Sequence, residues 1–84
     1  MITGTQIRAA RALLAWSQAE LAQRAGTSLP TIKRIESTGN EPSGTVRTNE
    51  KIRAAVEAAG IVFIDADNDG GRGVRMDTRG VILA

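Results

Sequence analysis

The segment from Ser17 to Glu36 constrains the fold more than any other part of the chain. It reads SQAELAQRAGTSLPTIKRIE. Ser17 followed three residues later by Glu20 is a capping-box pattern, which predicts a helix that begins just after Ser17. Gly26 suits the left-handed conformation that ends many helices, so this helix is expected to be short. A new element must then begin close to Gly26.

That element is predicted to be a second helix. Apolar residues recur at helical spacing from Leu29 to Ile35, and Pro30 is tolerated only in the first turn of a helix. The residue before a proline is disfavoured in the helical conformation, so the sequence leaves the capping residue open between Thr27 and Ser28. Two short helices joined by a turn that contains glycine have the organisation of a helix-turn-helix unit.

Further helices are predicted on both sides of this unit. The preceding one is expected to be capped by Thr5 and to end near Ala15. Its predicted buried face contains Ile7, Ala10, Leu13 and Leu14. The following helix is expected to start at Thr45 or Thr48 and to end before Gly60. Its predicted buried face contains Val46, Ile52, Ala55, Val56 and Ala59. Trp16 is expected in the core, and residues 37–44 have the composition of a loop with room for one more helical turn.

The composition changes after residue 60. Ile61–Ile64 is predicted to be a strand, Asp67–Gly71 a turn, and Val74–Met76 a returning strand. Residues 77–84 fit either a third strand over Gly80–Leu83 or a tail. The predicted fold is therefore mainly α: a compact four- to five-helix domain over residues 1–60, followed by a short C-terminal β-hairpin or strand over 61–84.

Composition excludes several classes of function. The chain contains no cysteine and no histidine, which argues against disulfides, thiolate metal sites and the commonest catalytic base. We therefore expect a non-enzymatic protein without metal or cofactor. No apolar run approaches the ~20 residues of a membrane span, and no signal peptide is visible, so we expect a cytoplasmic protein without a membrane partner.

The charge is unevenly distributed. Residues 1–60 hold eight basic and five acidic groups, a net charge of +3, whereas residues 61–84 hold three basic and four acidic groups, a net charge of −1. A basic first region is compatible with binding to phosphate, although charge alone is weak evidence.

The spacing around Gly26 resembles that of the Xre/Cro-like helix-turn-helix regulators, which include phage repressors. The resemblance covers about residues 5–60. The matching residues are Gln18, Ala19, Glu20, Leu21, Ala22, Gly26, Ser28, Ile32, Ile35 and Glu36. It implies an all-helical domain that binds double-stranded DNA as a sequence-specific transcriptional regulator, acting as a homodimer on an inverted-repeat operator. The alternative is an antitoxin that binds a toxin protein and represses its own operon.

The resemblance also implies roles for individual residues. Gln18 and Thr31 match phosphate-contacting positions, and Lys33 flanks the same surface. The positions that match base-edge contacts in the major groove are Ser28, Leu29, Pro30 and Arg34. Arg11 and Glu36 match a pair that ties the first helix to the third, and Arg47 is placed to reach backbone phosphate. Each role has a structural alternative, such as a solvated Gln18 or a Leu29 that points into the core.

Leu29 and Pro30 differ from the family pattern, in which amide side chains read adenine. Apolar side chains offer contact only to thymine methyl groups. Hydrogen-bonded readout is therefore expected to fall on Arg34, whose guanidinium suits the O6 and N7 acceptors of guanine.

The C-terminal region is expected to dimerise. Its apolar residues exceed what four short helices can easily cover, and they are Ile61, Val62, Phe63, Ile64 and Val74. A lone two-stranded hairpin is marginal in water, and pairing with a second copy would support it. The alternatives are a hairpin that folds back on its own domain or one that awaits a toxin.

The predicted hairpin turn also contains the opening of a calcium-binding loop, DADNDG from Asp65 to Gly70. The twelfth position of such a loop requires glutamate, and here it is Met76. The element before it is predicted to be a strand rather than a helix. We therefore interpret this segment as an acidic hairpin tip.

Overall fold

A computed structural model describes residues 1–77 of the chain. Within them the order of elements is α1 (Gly4–Leu14), α2 (Gln18–Ala25), α3 (Leu29–Glu36), α4 (Val46–Ala58), β1 (Ile61–Ile64) and β2 (Gly73–Met76). The mainly α fold with a C-terminal hairpin is confirmed. Residues 37–44 contribute turns and bends rather than a further helix. The possible third strand at Gly80–Leu83 lies outside the described residues.

Helix α1 begins two residues earlier than predicted. Thr3, not Thr5, is the cap: its hydroxyl accepts a hydrogen bond from the Gln6 backbone N–H, and the Gln6 side chain accepts one from the Thr3 N–H. This reciprocal capping box satisfies two backbone donors at once. The prediction of Thr5 was wrong, because the Gln6 side chain completes a capping box with Thr3.

The two central helices are capped largely as the sequence predicts. Ser17 caps α2, and Gly26 ends it with φ of 68°. The capping box is only half formed, because the Glu20 carboxylate accepts a hydrogen bond from Arg24 instead. Ser28 caps α3, which resolves the choice that the sequence left open.

Some predicted core positions are not buried. Leu13 is 46% exposed and Val46 is 59% exposed, although both are apolar and fall on the predicted helical faces. Trp16 is half-buried at the edge of the core, with the Arg24 guanidinium 4.5 Å from its ring centroid. Helical spacing therefore identified the buried stripes but overestimated their width.

The core is built from all four helices, the N-terminal segment and the first strand. Its buried apolar residues are Ile2, Ile7, Ala10, Leu21, Ala22, Ala25, Ile32, Ile35, Ile52, Val56 and Ile61. Gly4 lies directly against the backbone of Ile35 and Glu36, where a Cβ atom would clash with a carbonyl oxygen. The start of α1 is thereby held close to the end of α3.

The hairpin folds back on its own domain. β1 and β2 are antiparallel, with Phe63 opposite Val74, and they pack against α4 and α1. Because side chains alternate between the faces of a strand, one face points inward with Ile61, Phe63, Val74 and Met76 against the core. Ile61, predicted at a dimer interface, is only 2% exposed within its own domain. It therefore offers no surface to a partner.

The hairpin loop spans residues 65–72 and is longer than the predicted turn. The Asp67 carboxylate accepts hydrogen bonds from the backbone N–H groups of Asp69 and Gly70. Within residues 1–77, no group of three or more acidic side chains is arranged to hold a metal ion. In the same part of the chain, no helix is long and apolar enough to cross a membrane.

Candidate nucleic-acid interface

Helix α3 has one buried and one exposed face. Ile32, Ile35 and Glu36 are buried, whereas Lys33 and Arg34 point to solvent. Neither basic side chain pairs with a carboxylate in the described part of the chain, in contrast to Arg11, Arg24 and Arg53. The exposed face of α3 therefore presents two uncompensated positive charges.

A buried ion pair fixes α3 against α1. Glu36 is 3% exposed, and its two carboxylate oxygens accept hydrogen bonds from Nε and Nη2 of Arg11 at 2.7 and 2.9 Å. Arg11 Nη1 also donates to the Trp16 carbonyl at 2.9 Å. The hydrogen bond to Glu36 raises the pKa of Arg11 above its ordinary value, against the opposite effect of burial. The pair that the family resemblance implied is confirmed, and it orients α3 relative to α1.

Gln18 joins this network from α2. It occupies the first position of the helix and is half-buried. Its Nε2 donates to Glu36 Oε1 at 3.1 Å. A carboxylate accepts hydrogen bonds only, so the orientation of the Gln18 amide is fixed with its NH₂ group toward Glu36. No local sequence pattern indicates this contact, because the two residues are 18 positions apart.

The start of α3 is formed by two hydroxyl side chains. Ser28 Oγ accepts a hydrogen bond from the Thr31 N–H at 3.2 Å, and the two hydroxyls lie 2.8 Å apart. Ser28 is exposed and Thr31 is half-buried. The Ser28 hydroxyl caps the helix, and either hydroxyl can donate to the other.

The remaining predicted contact residues lie on two helices. Leu29 is half-buried and Pro30 is exposed, at the first and second positions of α3. Arg47 is exposed at the second position of α4, so it belongs to a helix rather than to the preceding loop. It too lacks a carboxylate partner within residues 1–77.

The geometry of α2 and α3 agrees with a comparison against protein-family models. A helix-turn-helix family model matches residues 7–46, which run from α1 to the first residue of α4. The match supports the resemblance of this region to the Xre/Cro-like helix-turn-helix family. Members of that family are DNA-binding transcription regulators, so the match supports a DNA-binding regulator domain over residues 7–46. No curated protein sequence gives a significant match to it.

Gln6 and Asn49 are two structural residues that the sequence interpretation missed. The buried Gln6 amide donates to the carbonyls of Ile64 and Gly73, and the buried Asn49 amide exchanges two hydrogen bonds with the backbone of Ile2. Only Gln6 had a readable signal, in its capping-box spacing from Thr3.

Proposed function

We propose that the protein is a sequence-specific transcriptional regulator that binds double-stranded DNA as a homodimer on an inverted repeat. In this proposal α3 enters the major groove, and Ser28, Leu29, Pro30 and Arg34 face base edges. Phosphates are contacted by Gln18, Thr31, Lys33 and Arg47. Two-fold symmetry would place the two recognition helices about 34–36 Å apart, or a multiple of that distance.

The observation that carries the proposal is the contrast between the two faces of α3. Its inner face is fixed by buried isoleucines and by the Arg11–Glu36 pair. Its outer face carries Lys33 and Arg34 without a carboxylate partner in the described residues. A rigid helix that presents unpaired cations fits a polyanionic ligand, because desolvation of the cations is offset by phosphate or base acceptors.

Base readout is assigned chiefly to Arg34. Its guanidinium can donate two hydrogen bonds to one guanine, whereas Leu29 and Pro30 can contact only thymine methyl groups. We expect Arg34→Ala to weaken binding to the operator by about 1–3 kcal/mol and to change binding to random DNA little.

The test measures fluorescence anisotropy of labelled DNA taken from upstream of the gene, against a scrambled duplex of equal length. Lys51→Ala is the matched control, since it removes an exposed positive charge from α4 that has no part in the proposed contacts. Equal losses on both duplexes for Arg34→Ala would show that this side chain contacts only the backbone. Absence of binding to any duplex would contradict the proposal as a whole.

The proposed phosphate contacts also predict how the affinity for DNA depends on salt concentration. The logarithm of the affinity should fall linearly with the logarithm of salt concentration, with a slope of about −0.9 per neutralised phosphate. Lys33→Ala should reduce the slope by about 1 while leaving operator preference unchanged. Affinity that does not depend on salt would exclude this mode of binding.

The antitoxin function remains the alternative to an independent regulator. It predicts that the product of a neighbouring gene copurifies with this chain and that the complex binds the operator. Operator binding by the purified chain alone, with no copurifying protein from co-expressed neighbouring genes, favours the independent regulator.

A further inference from the structure

A cleft lies between the start of α1, the loop after α3 and the hairpin loop. Its volume is about 370 Å³, within the range of about 300–1,000 Å³ that is usual for sites that hold small molecules. The described residues that line it are Thr3, Thr5, Gln6, Asn40, Gly71 and Arg72. None of these six is among the proposed DNA contacts, so the proposed function does not use this cleft.

Hydrogen bonds between the three segments fix the shape of the cleft. The Thr5 N–H donates to the Gly39 carbonyl at 3.0 Å, which ties α1 to the loop after α3. The Gln6 amide donates to the carbonyls of Ile64 and Gly73, which ties α1 to the strand ends on both sides of the hairpin loop. Because the walls are already held in place, a ligand would bind with little ordering of the backbone.

The inner wall contains two buried side chains and two hydroxyl groups. Thr3 is 2% exposed and Gln6 is 4% exposed. The Thr3 hydroxyl accepts a hydrogen bond from the Gln6 backbone N–H, and the Thr5 hydroxyl accepts one from Nη2 of Arg8 at 3.3 Å. A hydroxyl carries one proton in addition to its lone pairs. Each threonine can therefore donate its proton to an acceptor in the cleft.

Positive charge lies at the mouth of the cleft. Arg72 lines it from the hairpin loop and is exposed, and the hydrogen bond to Thr5 brings Arg8 to the opposite side. The Asn40 amide adds two N–H donors from the third segment. In the hairpin loop the Asp67 carboxylate accepts from the backbone of the loop itself. The cleft thus offers hydrogen-bond donors and two guanidinium groups to one ligand.

We propose that the cleft binds a small molecule through a phosphate group placed between Arg72 and the hydroxyls of Thr3 and Thr5. A phosphate monoester carries a charge of about −1.5 to −2 at pH 7 and has three strong acceptor oxygens. It can therefore accept hydrogen bonds from all three segments, and a guanidinium group can bind it with two parallel hydrogen bonds. The inference goes beyond the proposed function, because this site requires no DNA.

The test titrates the full chain with inorganic phosphate in the absence of DNA and follows backbone amides by heteronuclear NMR. Sodium chloride keeps the ionic strength constant. We expect saturable shifts at Thr5, Asn40 and Gly71. Arg72→Gln should weaken phosphate binding by about tenfold or more, because it removes a charged hydrogen-bond donor. Arg75→Gln is the matched control, since it removes an exposed arginine of the same hairpin that does not line the cleft.

Three outcomes of the titration would overturn the site. Shifts that do not saturate, or that both variants reduce equally, would show non-specific association of ions. Saturable shifts at Lys33 and Arg34 without shifts around the cleft would place the anion on α3. A loss of operator affinity in Arg72→Gln with unchanged phosphate binding would assign this arginine to the DNA backbone. Phosphate binding by a chain that binds no DNA would leave this inference standing and contradict the proposed function.

Thermal unfolding gives a second measurement on the same variants. A ligand that binds only the folded chain raises Tm by mass action. We expect phosphate at constant ionic strength to raise the Tm of the unmodified chain and of Arg75→Gln more than that of Arg72→Gln. Equal rises in all three proteins would show a general effect of the salt and would overturn the site. Because Arg72 is exposed in a loop, its substitution is expected to leave the fold intact, which circular dichroism checks.

Discussion

Helix α1 holds the helix-turn-helix unit and the hairpin by two different kinds of contact. On one side Arg11 forms a charged, bidentate contact with Glu36 of α3. On the other side Gln6 forms neutral hydrogen bonds to the backbones of β1 and β2. Both side chains come from one helix of 11 residues, yet one fixes the proposed DNA-reading element and the other fixes the proposed dimerisation element.

The two contacts differ in which hydrogen bonds remain when the side chain from α1 is removed. Without Arg11, the buried Glu36 carboxylate keeps only the Gln18 amide as a side-chain donor among residues 1–77, and an uncompensated buried charge is strongly destabilising. The Asp77 N–H donates to the Gly60 carbonyl, and hydrogen-bonded pairs alternate along an antiparallel ladder. Ile64 and Gly73 are therefore such a pair, and their carbonyls keep these bonds without the Gln6 amide. The α1–α3 contact is thus a requirement for folding of the whole domain, whereas the α1–hairpin contact governs how firmly one element is attached.

The largest expected effect comes from Arg11→Ala. Removing one partner of a buried ion pair costs about 3–5 kcal/mol, a large share of the roughly 5–15 kcal/mol that stabilises a typical domain. Urea unfolding followed by circular dichroism measures this loss. Glu57→Gln is the control, because it breaks an exposed pair within α4 and should cost less than about 0.5 kcal/mol.

Similar stability for Arg11→Ala and Glu57→Gln would break the comparison, since it would mean that the buried pair contributes no more than a surface pair. It would also remove the reason to regard α3 as rigidly positioned before it meets DNA.

A smaller and more local effect is expected from Gln6→Met, which preserves the side-chain length and removes its polar atoms. The loss of the Thr3 N–H contact and of both strand contacts should cost about 2 kcal/mol. Native-state hydrogen exchange should show faster exchange at Val62 and Arg75, while amides of α2 and α3 change little. The same substitution at Gln23, which is exposed on α2, is the control.

Uniform loss of protection across the chain in Gln6→Met would show that the hairpin does not open separately from the helices. The two regions would then form one cooperative unit, and the distinction between a folding contact and an attachment contact would not hold.

The same contrast separates what the sequence could predict from what it could not. Ser17, Gly26 and Ser28 act through backbone groups within three or four residues, so their patterns identify the ends of helices directly. Gln6 reaches carbonyls that are 58 and 67 residues away. No local pattern reports such a partner, and a buried glutamine looks in sequence like any solvated one.

The pattern of apolar residues also could not predict which residues at the margin of the core are buried. Leu13 and Val46 have the right spacing, yet their exposure depends on where the neighbouring helices end. The exposure of the candidate contact residues of α3 was easier to predict, because Lys33 and Arg34 lie opposite the isoleucine stripe on a helix of eight residues. Which bases they read stays a prediction, since it depends on the DNA.

The smallest expected effect concerns the residues that end α1 and α2. Within residues 1–77, Ala15 is the one non-glycine residue in a left-handed conformation. It lies on the helix-turn-helix side of the comparison and not in the hairpin. α1 ends at Ala15 with φ of 57°, and α2 ends at Gly26 with φ of 68°. The left-handed conformation costs about 1–2 kcal/mol for an ordinary L-residue and little for glycine. The turn at Ala15 allows the Trp16 carbonyl to accept the hydrogen bond from Arg11, so this strained residue supports the buried network.

Ala15→Gly should therefore stabilise the protein by about 0.5–1 kcal/mol, the relief of strain being partly cancelled by the greater freedom of glycine in the unfolded chain. Gly26→Ala should destabilise it by about 1 kcal/mol, through backbone strain alone, because a Cβ atom there would meet no neighbour within 4 Å. Paired thermal and urea unfolding of the two variants measures both signs. If Ala15→Gly destabilises the protein, the alanine methyl must contribute packing that outweighs its strain, and the end of α1 is then held by contacts rather than by the Arg11 network.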